Sequence, residues 1–268
     1  MTTPCYLNGK HTISIVSGPT GVIIPCQPAR GTDVQFNLIQ PDLEKYFFNI
    51  PMACPYHLPH QAIYRQALMN RVPDQIMAGY MAAGYRRSGN CLYTMVCPTC
   101  QSCVPIRLDP HLVRPNRNQK RTIRNNADLT WEIAPLEASR QNLALCNVFL
   151  KNRFPDRDNS AEEYYFGFFS NCITTTYEIR YRLADRLVGV AIVDSGSDWL
   201  NAVYFFFAPD LARRSLGTFN IMTLIEHCRQ QNIGRLYLGY RINEIAAMNY
   251  KGNFKPHQLL IDGEWQDI

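Results

Sequence analysis

Two neighbouring runs decide the fold: Tyr177-Glu178-Ile179-Arg180-Tyr181-Arg182-Leu183 and Leu187-Val188-Gly189-Val190-Ala191-Ile192-Val193. Polar and apolar residues alternate along the first, and a period of two also runs through the second, which is the signature of strands. A third apolar stretch, Ala202 to Phe207, follows after a short break. Three strands joined by short turns predict an antiparallel meander. Beyond the turn at Ala208-Pro209-Asp210 the period changes. Ile221, Leu224, Ile225 and Cys228 fall on one face of a helix. A further strand, Arg235-Leu236-Tyr237-Leu238, ends at Gly239-Tyr240.

Upstream, residues 136–154 and 160–170 read as helices, the second rich in aromatics. Residues 61–84 carry Ile63, Ala67, Leu68, Ile76, Met77 and Tyr80 at helical spacing, with Pro73 dividing two short helices. Residues 41–53 read as partly helical, and 1–40 as weak strands and turns. The expected class is α+β: an N-terminal helical, cysteine-containing part, then a mixed sheet with helices. The expected division is an extension over 1–45, a cysteine-containing domain over 46–135 and a sheet domain over 136–268. The C-terminal order of strands, loop, helix and strand resembles the acyl-CoA N-acetyltransferase (GNAT) fold, and fold alone carries function weakly.

The 268 residues are 46% hydrophobic and 18% charged, as in a globular protein with a real core. No apolar run approaches the roughly 18–20 residues that span a bilayer, and Met1-Thr2-Thr3-Pro4-Cys5 does not open a signal peptide. A cytoplasmic protein without a membrane partner is expected. Ten cysteines in a reducing compartment point to metal or redox chemistry where they cluster. The isolated Cys146, Cys172 and Cys228 read as small buried hydrophobes. The net charge of +5 permits nucleic-acid binding without requiring it.

Four segments carry chemistry. In Cys97-Pro98-Thr99-Cys100-Gln101-Ser102-Cys103, three thiols can converge on one ion, with Cys54 as the fourth ligand. Zinc or an iron–sulfur cluster suits such a set; the alternative is a group of reduced, unligated thiols. Arg114, Arg117, Lys120, Arg121 and Arg124 share a face if helical, and no acid interrupts them before Asp128. They match a phosphate backbone or form a solvated helix face. Arg86-Arg87 lie between Gly84 and Gly89, as a carboxylate or phosphate clamp or as a surface turn. Arg213-Arg214-Ser215-Leu216-Gly217 opens a helix, where Ser215 is an N-cap, part of an anion site, or both.

In order along the chain stand Cys54-Pro55-Tyr56 with Leu58-Pro59; Gly84-Tyr85-Arg86-Arg87-Ser88-Gly89; Tyr93 with the cysteine run, Pro105 and Arg107; and Asn118-Gln119-Lys120-Arg121 with Arg124-Asn125 and Asp128-Leu129. Then come Val203-Tyr204-Phe205-Phe206-Phe207 with Pro209-Asp210; Ser215-Leu216-Gly217; Tyr237-Leu238-Gly239-Tyr240; and Met248, Tyr250-Lys251, Phe254 and Lys255-Pro256. The ordered set, from about residue 50 to the end, resembles the aminoacyl-tRNA–protein transferase family, in its arginyl- and bacterial leucyl-transferring members. His57, Ala208, Ala247 and Gln258 depart from the family pattern.

The resemblance implies transfer of arginine or leucine from aminoacyl-tRNA to the N-terminal amine of a protein or peptide, with an acidic N-terminal residue expected. It implies Tyr204, Tyr240, Tyr250 and Lys251 at the catalytic site. Arg86, Arg87, Arg214, Ser215, Leu216 and Gly217 would contact substrate, and Arg117, Lys120, Arg121 and Arg124 the tRNA. Cys54, Cys97, Cys100 and Cys103 would hold zinc or an iron–sulfur cluster; no organic cofactor is expected. Glu178 or Asp194 would assist proton removal. Two other readings stand beside it: a CoA-dependent N-acyltransferase, from the strand and helix order, and a non-catalytic RNA-binding protein.

Overall fold

The structure is a computed structural model that describes residues 43–268 and, before them, only the backbone of a two-residue ladder, β1 (Cys5–Tyr6) with β2 (Thr12–Ile13). The remaining expectations for residues 1–40 lie outside the described residues.

A first sheet is antiparallel throughout, in the order β3 (Phe48–Ala53), β4 (Gln61–Leu68), β6 (Cys91–Met95), β5 (Arg86–Ser88). Two expectations are corrected here. Residues 61–68 form a strand and not a helix, and 48–53 form the strand beside it. Ala62, Tyr64, Gln66 and Ala67 of β4 are all buried, because one face meets helix α1 (Asp74–Ala82) and the other meets the second sheet. Burial alternates along most of β4, but polarity does not: Ile63 and Ala67 stand on one face and buried Gln66 on the other, so the two-residue period is lost from the sequence. Pro73 does mark the boundary, standing just before α1.

The second sheet has eight strands, ordered β14 (Glu264–Asp267), β13 (Gln258–Ile261), β7 (Val104–Leu108), β12 (Arg235–Arg241), β11 (Trp199–Phe207), β10 (Arg186–Ser195), β9 (Thr175–Leu183), β8 (Leu129–Pro135). The meander β9–β10–β11 is present as expected. Strands β7 and β8 come from before residue 136, so the sheet draws on both sides of that point. Helix α3 (Arg140–Arg153) covers one face with the short helix Ala161–Glu163 and the π-helical turn Tyr164–Phe169. On the other face lies α4 (Leu216–Gln230), which buries Leu224, Ile225 and Cys228. Helix α2 (Arg117–Asn125) packs beside α4.

Strands β11 and β12 are the one parallel pair among the described strands of this sheet. They pair only from Trp199↔Arg235 to Asn201↔Tyr237. Beyond that, β11 stays with β10 as far as Phe207, while β12 follows β7 to Arg241. The sheet therefore splits between the C-terminal halves of two parallel strands. Ligands of open sheets bind outside the carboxyl ends of parallel strands.

Candidate active site

Gly239 lies on the β12 side of the split. Its φ is +79°, a left-handed value that glycine adopts without strain, and the β12–β7 register shifts between Tyr237 and Tyr240. The irregular backbone turns the Gly239 carbonyl toward Arg86 of β5, whose Nη2 donates to it at 3.1 Å. Arg86 Nη1 donates to the Tyr85 carbonyl at 2.6 Å, and the guanidinium stands 5.5 Å from the ring centroids of both Tyr237 and Tyr240. No carboxylate pairs with it among the described residues, its Nε has no partner, and burial lowers its pKa. A buried cation without a counter-charge is costly, and an anionic ligand relieves that cost. Directly opposite Arg86 on β6 is Tyr93, and opposite Tyr93 on β4 is Gln66, so the three form a row on one face. The Oε1 of buried Gln66 also lacks a partner.

Arg87 points to the other face and is fully engaged. Nε and Nη2 donate to the two carboxylate oxygens of Asp194 at 2.8 and 2.6 Å, both side chains being wholly buried. It also donates to the Phe168 carbonyl and to Thr176 Oγ1. Asp194, expected as a base, is thus half of an ion pair that joins the two sheets. Glu178 is likewise occupied: it accepts from Asn142, Tyr165, Arg180 and the Glu137 amide.

After β12 the chain forms a short helix, Ala246–Asn249, and a 3-10 turn, Tyr250–Asn253. These return Lys251 to the split. Its Nζ donates to the Tyr240 carbonyl at 2.9 Å and lies 3.7 Å from Met248 Sδ, and a Cβ on Gly239 would come within 3.6 Å of it. Burial, together with the nearby Arg86 charge, pushes the Lys251 pKa down to about 7. Tyr240 is buried, and its hydroxyl donates to the Gly84 carbonyl at 3.4 Å. Arg86, Tyr240 and Lys251 are thus brought together around Gly239.

The other candidates lie farther out. Tyr204 of β11 sits in an aromatic group with Tyr164, Phe168 and Phe169. Tyr250, one residue before Lys251, shares with Tyr204 the nearby cation Arg153. Arg214 is engaged with α2 and the residues after it, donating to Asn126 Oδ1, the Asn125 carbonyl and Asp128. Ser215 has a left-handed φ of +57° and no side-chain capping bond, so the expected hydroxyl cap is absent. Leu216 belongs to the core, and the space around Gly217 is open. Arg117, Lys120, Arg121 and Arg124 are exposed on α2, as the spacing predicts.

Cys54, Cys97, Cys100 and Cys103 line one cavity of about 360 Å³ beside Val104, Pro105 and Leu260. Burial and the other three thiols push Cys103 up to about 12. Among the described residues no group of three or more His, Cys, Asp or Glu side chains is arranged to hold a metal ion. The four cysteines line one cavity all the same, and thiolates are donors of the kind a thiophilic metal prefers. Cys146 and Cys228 are buried as expected, while Cys172 is half-buried. Tyr237, the second ring against Arg86, was not among the expected site residues, although it opens the run Tyr237-Leu238-Gly239-Tyr240 quoted above.

Residues 52–121 match the family "Arginine-tRNA-protein transferase, N terminus", and residues 141–261 its C-terminal counterpart. Curated relatives named "Aspartate/glutamate leucyltransferase" are similar over most of the chain. The one from Marinobacter nauticus is 35% identical, over 83% of this chain and 95% of its own length. Those from Gluconacetobacter diazotrophicus and Pseudomonas putida are each 34% identical, over 83% and 82% of this chain and 87% and 95% of theirs. No helix among the described residues is long and apolar enough to cross a membrane. With both halves matched and relatives aligned nearly end to end, the chain belongs to the aminoacyl-tRNA–protein transferase family and is an aminoacyltransferase.

Proposed function

We propose that this enzyme transfers leucine from leucyl-tRNA to proteins that begin with Asp or Glu, in the cytoplasm where charged tRNA is made. The observation that carries this reading is the group at the β11–β12 split: a buried guanidinium without a carboxylate, beside a lysine whose pKa is near neutrality. The names of the relatives favour leucine and acidic acceptors.

In this reading Arg86 receives the side-chain carboxylate of the acceptor's first residue. A fixed guanidinium suits that anion, and Arg87 supports it from within the inter-sheet ion pair. The acceptor arrives as an α-ammonium. Neutral Lys251 takes one of its protons on Nζ, and the freed amine attacks the ester carbonyl of leucyl-tRNA. A tetrahedral oxyanion forms, the carbon–oxygen bond to the ribose breaks, and the ribose oxygen takes a proton as the peptide bond is completed. The ester is already activated, so alignment supplies much of the acceleration without a covalent enzyme intermediate. The exposed cations of α2 hold the tRNA body.

The four cysteines would hold zinc or an iron–sulfur cluster as a structural element beside the acceptor site. Protein purified without air is expected to carry metal, read by elemental analysis and absorption, and Cys100→Ser and Cys103→Ser are expected to lose it. Metal-free wild-type protein would end that part of the proposal.

The main test offers purified enzyme radiolabelled leucyl- and arginyl-tRNA with peptides beginning Asp, Glu, Asn or Lys. Label is expected to pass from leucyl-tRNA to the Asp and Glu peptides alone. Arg86→Gln is expected to lower kcat/KM for those peptides by about 10²-fold, the cost of losing one charged hydrogen-bonded contact in a dry site. Absence of transfer from either tRNA to any peptide overturns the reading.

A further inference from the structure

Arg153 is the last residue of α3 and is exposed. Four residues earlier, Phe149 packs its ring at 90° to Tyr204, 6.3 Å away, and lies 5.2 Å from Phe207. Side chains four apart share a helix face, so Arg153 continues that face past the edge of the sheet. Its charge acts on both Tyr204 and Tyr250. Arg180, Arg182, Arg186 and Arg214 all pair with carboxylates, whereas Arg153 has no ion pair or hydrogen bond among the described residues. The Tyr250 hydroxyl has no hydrogen-bond partner among them either.

The surroundings indicate what such a pair would bind. Helix α3 packs against the 3-10 turn Pro209–Arg214, which presents exposed Arg213. Arg214 of that turn is fastened to the end of α2, where Arg117, Lys120, Arg121 and Arg124 are exposed. Cations thus recur on consecutive packed elements from α2 to the mouth of the β11–β12 split. A polyanion can meet them in succession; a peptide carboxylate meets one.

We propose that Arg153 is a tRNA-binding residue: its guanidinium, joined by the Tyr250 hydroxyl, grips a phosphodiester of the single-stranded 3′ end as that strand enters between β11 and β12. The assignment rests on the transfer reading above. Tyr250 and Lys251 are consecutive, so one short turn would hold the donor strand with one residue and deprotonate the acceptor with the next.

The test is steady-state transfer by the full chain, varying leucyl-tRNA and the acidic peptide separately at several salt concentrations. Arg153→Ala is expected to raise KM for leucyl-tRNA roughly tenfold, about one charged hydrogen bond. The slope of log KM against log salt is expected to fall by about 0.7, one phosphate on a single strand. KM for the peptide stays unchanged, and Arg153→Lys keeps the wild-type slope with a smaller KM penalty. The proposal is overturned by a tRNA KM within twofold of wild type, or by a shift that appears in the peptide KM. It is equally overturned if Lys151→Ala, about 200° around the same helix, has the same effect as Arg153→Ala. Wild-type protein that transfers nothing removes the transfer reading, whereas active wild type with an unaffected Arg153→Ala variant removes this inference alone.

Discussion

Lys251 and Arg86 oppose each other electrostatically, and each makes the other more useful. Burial is the main cause that lowers the Lys251 pKa from 10.5 to about 7, and the Arg86 guanidinium, which keeps its charge at any working pH, adds to it. Below that value Lys251 carries a proton and cannot accept another; above it the amine is free. Activity is therefore expected to fall as pH drops through about 7. An acceptor α-amine titrates separately near 7.7–8.0, so the two limbs are separated by mutation. Lys251→Arg is expected to lower kcat by about 10²–10³-fold, the usual range for a lost general base, and to remove the lower limb while leaving the peptide's own. An unchanged pH profile in that variant would exclude Lys251 as the base. The sequence placed Arg86 and Arg87 side by side without distinguishing them. Alternation on β5 sends them to opposite faces, and Asp194, 107 positions away, claims Arg87. No local pattern carries that information.

Among the elements, α2 was legible only in part: the spacing put its cations on one face if the segment was helical, and the structure makes it a helix. Asn116 accepts from the Gln119 amide and the Gln119 side chain accepts from the Asn116 amide, a reciprocal cap that fixes the helix start. Gln119 and Thr122 face inward, and the cations face out. Because the cap and the inner face do not involve those cations, Arg117→Gln, Arg121→Gln and Arg124→Gln together are expected to leave the melting temperature within about 2 °C. They are expected to weaken leucyl-tRNA binding and lower its log–log salt slope by about two, since each phosphate contact contributes roughly 0.7–0.9. Filter binding across a salt series reads this, and an unchanged slope would mean that α2 does not touch the tRNA. The strand β4 was illegible for a physical reason: it carries apolar residues on both faces and a polar Gln66 on the buried one, so Ile63, Ala67 and Leu68 kept a spacing that also suits a helix. The hairpin β13–β14 and the edge strand β8 were missed as well. Each is short or mostly exposed on one side, so it shows too little apolar contrast.

At the scale of the molecule, two sheets are fixed together by three devices. The first is the Arg87–Asp194 pair. The second is Asp74, at the start of α1, which accepts from the Ser197 amide and hydroxyl and from Trp199 Nε1 at 3.0, 2.6 and 2.9 Å. The third is β7, which leaves the cysteine-bearing half and lies between β12 and β13. A fragment comprising residues 136–268 would retain the meander and α4 but leave β12 with a bare edge and Asp194 buried without its cation. It is expected to be aggregated or unfolded by circular dichroism and size exclusion, and a soluble, cooperatively melting fragment would contradict this account of the fold. The order of strands and helix in the C-terminal half could be read directly; the threading of β7 could not, since pairing partners 128 or more residues apart leave no mark on local sequence.

That threading also governs how specificity could be exchanged with a relative. A chimera that takes its acceptor-reading half from one parent and its donor-reading half from another should not be joined near residue 135, where α3 begins after β8. The joint belongs in the loop between Leu108 and Arg117, ahead of α2, so that the N-terminal half brings β7 and the sheet of the other parent closes around that one foreign strand. Compatibility between parents would then be decided at the two seams beside Val104–Leu108, one of which pairs Pro105 with Tyr240 at the site itself.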